Sequence, residues 1–312
     1  MTTDSSDLAL RHLADALRLA LGPVAVQERQ PLARHTALRI GGPADLLAVA
    51  HTAETLRQIV SLAWHHRVPC RVLGGGSNVL VSDRGVRGLV VLNRARAVSF
   101  VGTQVRAESG ALLTRVARQC VARGLAGLEW AAGIPGTVGG AVVGNAGAWG
   151  GDIASTLTRA TVLEAGPRVV EWPVERFGYS YRTGVLKQNP PSAVVLEAEF
   201  ALRMEERKGL EARLAEIAAR RKAAQPPGAS CGSVFKNPPG DYAGRLIEAA
   251  GLKGQRHGAA EISPLHANFI LNHGRATAAD VKALIDLARQ EVEARFGVVL
   301  ELEIELLGEW GK

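Results

Sequence analysis

The chain has 312 residues, more than one compact core usually supports, so two or three domains are expected. Hydrophobic residues at 47% and charged residues at 21% exclude a disordered chain. A net charge of +7 asks for an anionic partner; with 4% aromatic residues and one dense basic cluster, Arg220-Arg221-Lys222, a base-stacking nucleic-acid platform is disfavoured and a pocket for a phosphorylated small molecule fits at least as well.

Charged residues among the first 21 positions interrupt any signal-peptide core, and no apolar run reaches about 20 residues, so a cytoplasmic protein without a membrane partner is expected. Asp7 to Leu21 carries apolar residues at helical spacing, Asp45 to Ala50 reads as a strand, and Ala53 to His66 as a helix behind the N-cap Thr52. Arg71-Val72-Leu73, Val79 to Ser82 and Gly88 to Leu92 are short apolar runs separated by glycine, the pattern of buried strands joined by tight turns. Strands then follow at Ala97 to Val101, Gln104 to Ala107, Ala160 to Leu163, Arg168 to Glu171 and Ala193 to Phe200, around a helix near Ala111 to Arg123, which predicts an α+β middle region. Glu205 to Ala223 reads as a charged helix ended by Gln225-Pro226-Pro227-Gly228, and a domain boundary is placed on it. Beyond it, helices are predicted at Tyr242 to Ala250 and Ala278 to Phe296, a strand at Asn268 to Leu271, and a closing strand from Val298 to Leu307 with Glu301, Glu303 and Glu305 facing one way.

Two glycine-rich segments carry the chemistry. In Val72-Leu73-Gly74-Gly75-Gly76-Ser77-Asn78, three glycines after a strand free the backbone to approach a ligand and to point N–H groups at an anion. A Rossmann pattern fails because Val79 stands where the third glycine belongs, and no Walker A loop is present. The second segment, Gly133 to Gly140 followed by Gly144 to Gly151, has many glycines and few charges, a backbone surface for a bound cofactor to fill. Gly228-Ala229-Ser230-Cys231-Gly232 matches the serine-hydrolase elbow G-x-S-x-G, yet it lies between Pro226-Pro227 and an extended segment instead of between a strand and a helix. Cys70, Cys120 and Cys231 are far apart and read as small buried hydrophobes, and the histidines lack metal-site spacing, so no metal is expected.

The order Ile40-Gly41-Gly42-Pro43-Ala44, Gly74 to Val79, Gly133 to Gly151 resembles the flavin-binding region of the UDP-N-acetylenolpyruvoylglucosamine reductase family, FAD enzymes of peptidoglycan precursor synthesis. Tyr181-Arg182-Thr183, Gly232-Ser233-Val234-Phe235-Lys236-Asn237-Pro238, Ser263 to Asn272 and Leu300-Glu301-Leu302-Glu303 fall where that family has them. Two departures stand out: Gly184 occupies the place of a usual serine, and the chain lacks a tyrosine-bearing insertion, which puts it with the branch without that loop.

The resemblance implies an α+β FAD-binding fold of the vanillyl-alcohol-oxidase/PCMH type in two lobes, residues 1–86 with the closing strand 298–312 and residues 87–204, plus a C-terminal α/β substrate-binding domain over 205–297. It implies non-covalent FAD, held by Gly74, Gly75, Gly76, Ser77, Asn78, Gly133, Ile134, Pro135, Gly136, Thr137, Gly139, Gly140, Asn145 and Gly147, with NADPH as co-substrate and a UDP-sugar as substrate. Arg182, Ser233 and Glu303 would be catalytic: a carboxylate clamp, a proton donor, and either a positioning carboxylate or an acid. Tyr181, Lys236 and Asn237 would bind substrate, Lys236 being one candidate to polarise Ser233. The implied reaction is NADPH-dependent reduction of the enolpyruvyl group of UDP-N-acetylglucosamine enolpyruvate to UDP-N-acetylmuramate, by a monomer or weak dimer. An alcohol or sugar oxidase on the same scaffold, and a basic binding module without catalysis, are the alternatives.

Overall fold

In the structure, a computed structural model that describes residues 3–188 and 193–311, the Thr52 hydroxyl accepts the Thr55 N–H at 3.0 Å and starts helix Ala53–His65. Leu56, Ile59, Val60 and Ala63 form the buried face of that helix. They share a core with Leu13 and Leu17 of helix Thr3–Leu21 and with Leu46, Ala48, Leu89 and Val91 of a four-stranded sheet. The sheet runs in the order Val26–Pro31, Pro43–Ala50, Val86–Asn93, Cys70–Leu73, the last two pairing parallel with Cys70 opposite Leu89. Leu89 to Leu92 are all buried, which accounts for a continuous apolar run in place of an alternating one.

Antiparallel pairing organises the next stretch. Arg168–Pro173, Leu157–Glu164, Ala193–Ala201, Gln104–Glu108 and Val98–Val101 form a five-stranded sheet in that order. Val105, Ala107, Ala160, Val162, Val195, Ala198 and Phe200 meet Leu113, Val116, Ala117 and Cys120 of helix Leu113–Val121 in a second core. These elements belong to one unit, Met1–Arg29, Asp45–Gly75 and Gly88–Ala219. The helix Arg207–Ala224 begins in it, anchored by Leu210 and by Arg213, whose Nη2 donates to Glu129 at 3.0 Å.

The other unit comprises Gln30–Ala44, Gly76–Arg87 and Arg220–Lys312. Helix Ala278–Phe296 starts at a reciprocal cap between Thr277 and Asp280, and the Asp83 carboxylate accepts the N–H groups of Ala278 and Ala279 at 2.8 and 3.0 Å. A negative charge is thereby placed at the positive end of the helix. Val281, Leu284, Ile285, Ala288 and Val292 pack on helix Ala243–Ala249 and on an antiparallel sheet ordered Arg256–His257, Ala260–Ile262, Ile270–Asn272.

The closing strand departs from expectation. Only Glu305–Leu307 pairs regularly, parallel to Val79–Val81, whereas the N–H groups of Glu303 and Ile304 both turn to the Val234 carbonyl at 2.8 and 3.4 Å. The chain bends there, so the three glutamates do not form one solvent face: Glu303 is half-buried and Glu301 and Glu305 are exposed. No strand precedes Ser230 and no helix follows it; Ala229 and Ser233 make isolated bridges to Asn272 and Phe269, so the hydrolase elbow lacks its setting. The three cysteines are buried, which pushes each thiol up to about 12. Among the described residues no helix is long and apolar enough to cross a membrane, and no group of three or more His, Cys, Asp or Glu side chains is placed to hold a metal ion.

Candidate flavin site and catalytic residues

The two glycine-rich segments meet inside the first unit. A Cβ on Gly74 would overlap the Thr137 hydroxyl and lie 3.1 Å from its methyl carbon; one on Gly75 would lie 3.2 Å from the Gly136 Cα. The second segment is held firmly from behind. Thr114 Oγ1 donates to the Ile134 carbonyl at 2.7 Å, the Leu113 N–H to Gly136 at 3.2 Å, and the N–H groups of Val138 and Gly139 to Ala111 and Ser109 at 2.8 and 2.7 Å. Gly133 and Gly136 adopt positive φ, 73° and 118°, which suits glycine. Arg94, which the sequence patterns did not single out, donates from Nη1 to the Gly74 carbonyl at 2.7 Å.

Whether FAD fits can be judged from the remaining glycines. Gly139 and Gly147 are crowded by Ser109 and Asp152, so their missing side chains serve internal packing. A Cβ on Gly140 would meet nothing nearer than the Thr137 hydroxyl at 3.8 Å, and Gly144 and Gly150 face open space. Gly75, Gly133, Pro135 and Gly140 are exposed. A rigid backbone with an open glycine face is what a cofactor with a diphosphate and planar rings requires, and the residues fit the group.

Asn145 closes the short helix Val138–Gly144 in the left-handed conformation, φ 44°, and is buried. Its Oδ1 accepts the Ala154 N–H at 3.1 Å, and its Nδ2 donates to the Ser180 carbonyl at 3.2 Å. The side chain expected to touch FAD is therefore engaged with the backbone that leads into Tyr181-Arg182. Ser180 and Thr183 exchange two hydrogen bonds at 3.2 Å around these two residues, and Arg182 sits at φ 57° with its guanidinium 5.5 Å from the Tyr181 ring centroid. Tyr181 is exposed and Arg182 half-buried. A Cβ on Gly184 would lie 3.0 Å from Cδ1 of Tyr179, whose hydroxyl donates to the Val142 carbonyl at 2.6 Å; that ring fills the space a serine would need.

In the second unit Gly76, Ser77 and Asn78 follow directly on Gly75. Gly76 has φ 60° and packs on the backbone of His35 and Thr36, and Asn78 Nδ2 donates to the Glu303 carbonyl at 3.0 Å. Ser233 is half-buried; its neighbour Val234 donates its N–H to the Asn268 carbonyl at 2.9 Å and accepts the Glu303 N–H. Ser233 and Glu303 are thus tied through one residue. Lys236 Nζ lies 3.1 Å from a Glu301 carboxylate oxygen, so its charge is directed there, and Asn237 Oδ1 accepts the Ala243 N–H at 3.1 Å as a cap for the following helix. Arg182 and Tyr181 belong to the first unit, Ser233, Lys236, Asn237 and Glu303 to the second.

Asn268 was not singled out by sequence pattern, yet its buried amide clamps the motif: Oδ1 accepts the Phe235 N–H at 2.9 Å and Nδ2 donates to the Phe235 carbonyl at 2.8 Å. Asn268→Ala leaves two buried backbone groups without partners, at about 1–3 kcal/mol each. The expected result is a lowered urea midpoint for this unit; an unchanged midpoint would mean that water replaces the amide.

A family model described as UDP-N-acetylenolpyruvoylglucosamine reductase, C-terminal domain, matches residues 223–307, and one described as FAD binding domain matches residues 44–172. A crystal structure of UDP-N-acetylenolpyruvylglucosamine reductase from Thermus caldophilus is similar with a TM-score of 0.78 and 38% identity, covering 90% of this chain and 98% of that one. A variant of Phl p 4 described as a glucose oxidase reaches a TM-score of 0.51 at 16% identity over 62% of this chain and 44% of its own, a likeness of fold alone. The UDP-N-acetylenolpyruvoylglucosamine reductase of Chloroflexus aggregans is 47% identical over 292 residues, 91% of this chain and 98% of that protein. Fold and glycine-lined surface define an FAD-dependent oxidoreductase with the expected α+β FAD-binding fold. Within that class, the chain belongs to the UDP-N-acetylenolpyruvoylglucosamine reductase family.

Proposed function

We propose that the chain reduces the enolpyruvyl group of UDP-N-acetylglucosamine enolpyruvate with NADPH, yielding UDP-N-acetylmuramate for peptidoglycan precursor synthesis. The observation that carries this reading is the match over residues 223–307, which contains both Ser233 in its G-S-V-F-K-N-P motif and the bend at Glu303. The oxidase alternative rests on the shared fold alone and is not favoured.

The chemistry supplied by a bound FAD is hydride exchange, accepting from NADPH and passing on to the terminal vinyl carbon. Gly74 to Asn78 and Gly133 to Gly147 would hold it, with main-chain contacts in place of side chains. Hydride at the vinyl carbon leaves negative charge on the neighbouring carbon, spread into the substrate carboxylate, so a fixed cation and a proton donor are needed. Arg182 meets the first need with a planar, permanently charged fork that can clamp a carboxylate. Ser233 meets the second by giving its hydroxyl proton to that carbon. Glu303, half-buried where its neighbours are exposed, orients the substrate at the same carbon or serves as an acid. Tyr181, Lys236 and Asn237 hold the UDP-sugar.

Cytoplasmic pools of NADPH and nucleotide sugars support a cytoplasmic enzyme, acting as a monomer or weak dimer without nucleic-acid or membrane partners. The test is NADPH consumption by purified, FAD-loaded protein. Consumption that depends on the enolpyruvyl sugar nucleotide supports the reading; a loaded flavoprotein indifferent to that compound overturns it.

A further inference from the structure

We propose that Arg94 is a positioning residue for the FAD diphosphate, acting through the Gly74–Gly75 peptide; the proposal rests on the FAD reading above. Arg94 follows strand Val86–Asn93, and its N–H is fixed to the Ala50 carbonyl at 2.7 Å. Its half-buried guanidinium gives Nη1 to the carbonyls of Gly74, at 2.7 Å, and Asn93, at 3.3 Å.

Among the described residues no carboxylate pairs with it. Other arginines of this unit do have one: Arg213 lies 3.0 Å from Glu129 and Arg159 3.0 Å from Glu199. Removal from water works against the charge on Arg94, and repulsion from Arg96 adds to it. An arginine nonetheless stays protonated, and the two carbonyls offset part of the cost of sheltering it while leaving its charge for an anion to balance. The diphosphate is the anionic part of FAD at neutral pH.

The peptide geometry says how the charge is used. In a trans peptide the carbonyl and the following N–H point in opposite directions. With the Gly74 carbonyl turned to Arg94, the Gly75 N–H is turned away from it, and Gly75 is exposed beside Gly136. A cation on the carbonyl also polarises the amide, which makes its N–H a stronger donor to an anion. Neither the hydrogen bond alone nor the charge alone supplies both effects.

The experiment compares wild type with Arg94→Lys, Arg94→Gln and Arg94→Met after removal of flavin. Each apoprotein is titrated with FAD, which carries the diphosphate, and with riboflavin, which carries no phosphate, by flavin fluorescence at low and high salt. Thermal unfolding of the apoproteins reports folding. Arg94→Met is expected to weaken FAD binding by about tenfold or more, to flatten its salt dependence and to leave riboflavin binding unmoved, while Arg94→Lys recovers most of the loss. Should Arg94→Met not fold, the Lys and Gln variants carry the comparison, Gln keeping a donor to Gly74 without the charge. An FAD affinity within twofold of wild type in the uncharged variants overturns the proposal, as does an equal loss of FAD and riboflavin. Wild-type apoprotein that takes up no FAD overturns the flavin reading itself.

Discussion

Ser233→Ala is expected to leave NADPH-driven flavin reduction within a few-fold of wild type and to slow reoxidation by the enolpyruvyl sugar nucleotide by about 10²–10⁴-fold, the contribution typical of a positioned proton donor. The structure makes the substitution a clean one. The bridge from residue 233 to Phe269, and the Val234 and Phe235 bonds to Asn268, are made by main-chain atoms at this segment, so removing the hydroxyl leaves the Glu303 N–H on the Val234 carbonyl. Rapid-mixing absorbance of the flavin resolves the two half-reactions. Equal slowing of both would remove Ser233 from proton donation and leave it a structural turn residue.

Gly76→Ala is expected to cost several kcal/mol of stability, from a conformational and a steric contribution together. The position has φ 60°, which costs an L-residue about 1–2 kcal/mol, and the new methyl would overlap the His35 carbonyl oxygen and lie 2.8 Å from the Thr36 Cα. Both obstacles are main chain, so no rotamer change relieves them, and about 1–3 kcal/mol more is expected from forced backbone shifts. The displaced loop is otherwise tightly held: Ala37 N–H donates to the Gly76 carbonyl at 2.9 Å, Thr36 Oγ1 to the Ile40 carbonyl at 2.8 Å, and Asn272 Nδ2 to the Leu38 carbonyl at 2.9 Å. Gly254→Ala is the control in the same unit, because Gly254 has φ 76° with open space where the methyl would go. A fall in Tm and in flavin retention well beyond that control is expected. Equal effects in the two variants would show that conformation, and not the close approach to His35, is what requires glycine at 76.

Individual elements were readable in the sequence and remote pairings were not. The five strands Val98–Val101, Gln104–Glu108, Leu157–Glu164, Arg168–Pro173 and Ala193–Ala201 lie in one antiparallel sheet, and their period and turn chemistry suffice to find each as a strand. Thr52 and Thr277 stand at the helix starts where capping residues belong. By contrast, Val79–Val81 and Glu305–Leu307 pair parallel across most of the chain, and Asn78 reaches Glu303 over a separation of 225 residues. Nothing in the alternation of Glu301, Glu303 and Glu305 announces the bend at the Val234 carbonyl that shelters only the middle one. In the flavin site, the glycine segments were recognisable because a missing Cβ is itself the signal. Asn145, expected at the cofactor, also ends a short helix in the left-handed conformation, a role that Gly144-Asn145 allows in the sequence. Arg94 and Asn268 belong to no spacing rule, since each acts on a backbone carbonyl or amide remote in sequence.

The parallel pairing of Glu305–Leu307 with Val79–Val81 has a consequence for synthesis on the ribosome. One unit is built from segments up to Ala219, whereas the other draws on Gln30–Ala44 and Gly76–Arg87 and needs the distant strand Glu305–Leu307 to finish its pairing. Val79–Val81, a buried apolar strand, therefore emerges well before its partner, the adjoining Asn78–Glu303 bond spanning 225 residues. During that interval it is a free edge of the kind that chaperones shield, and how quickly the intervening residues are added sets how long it stays open.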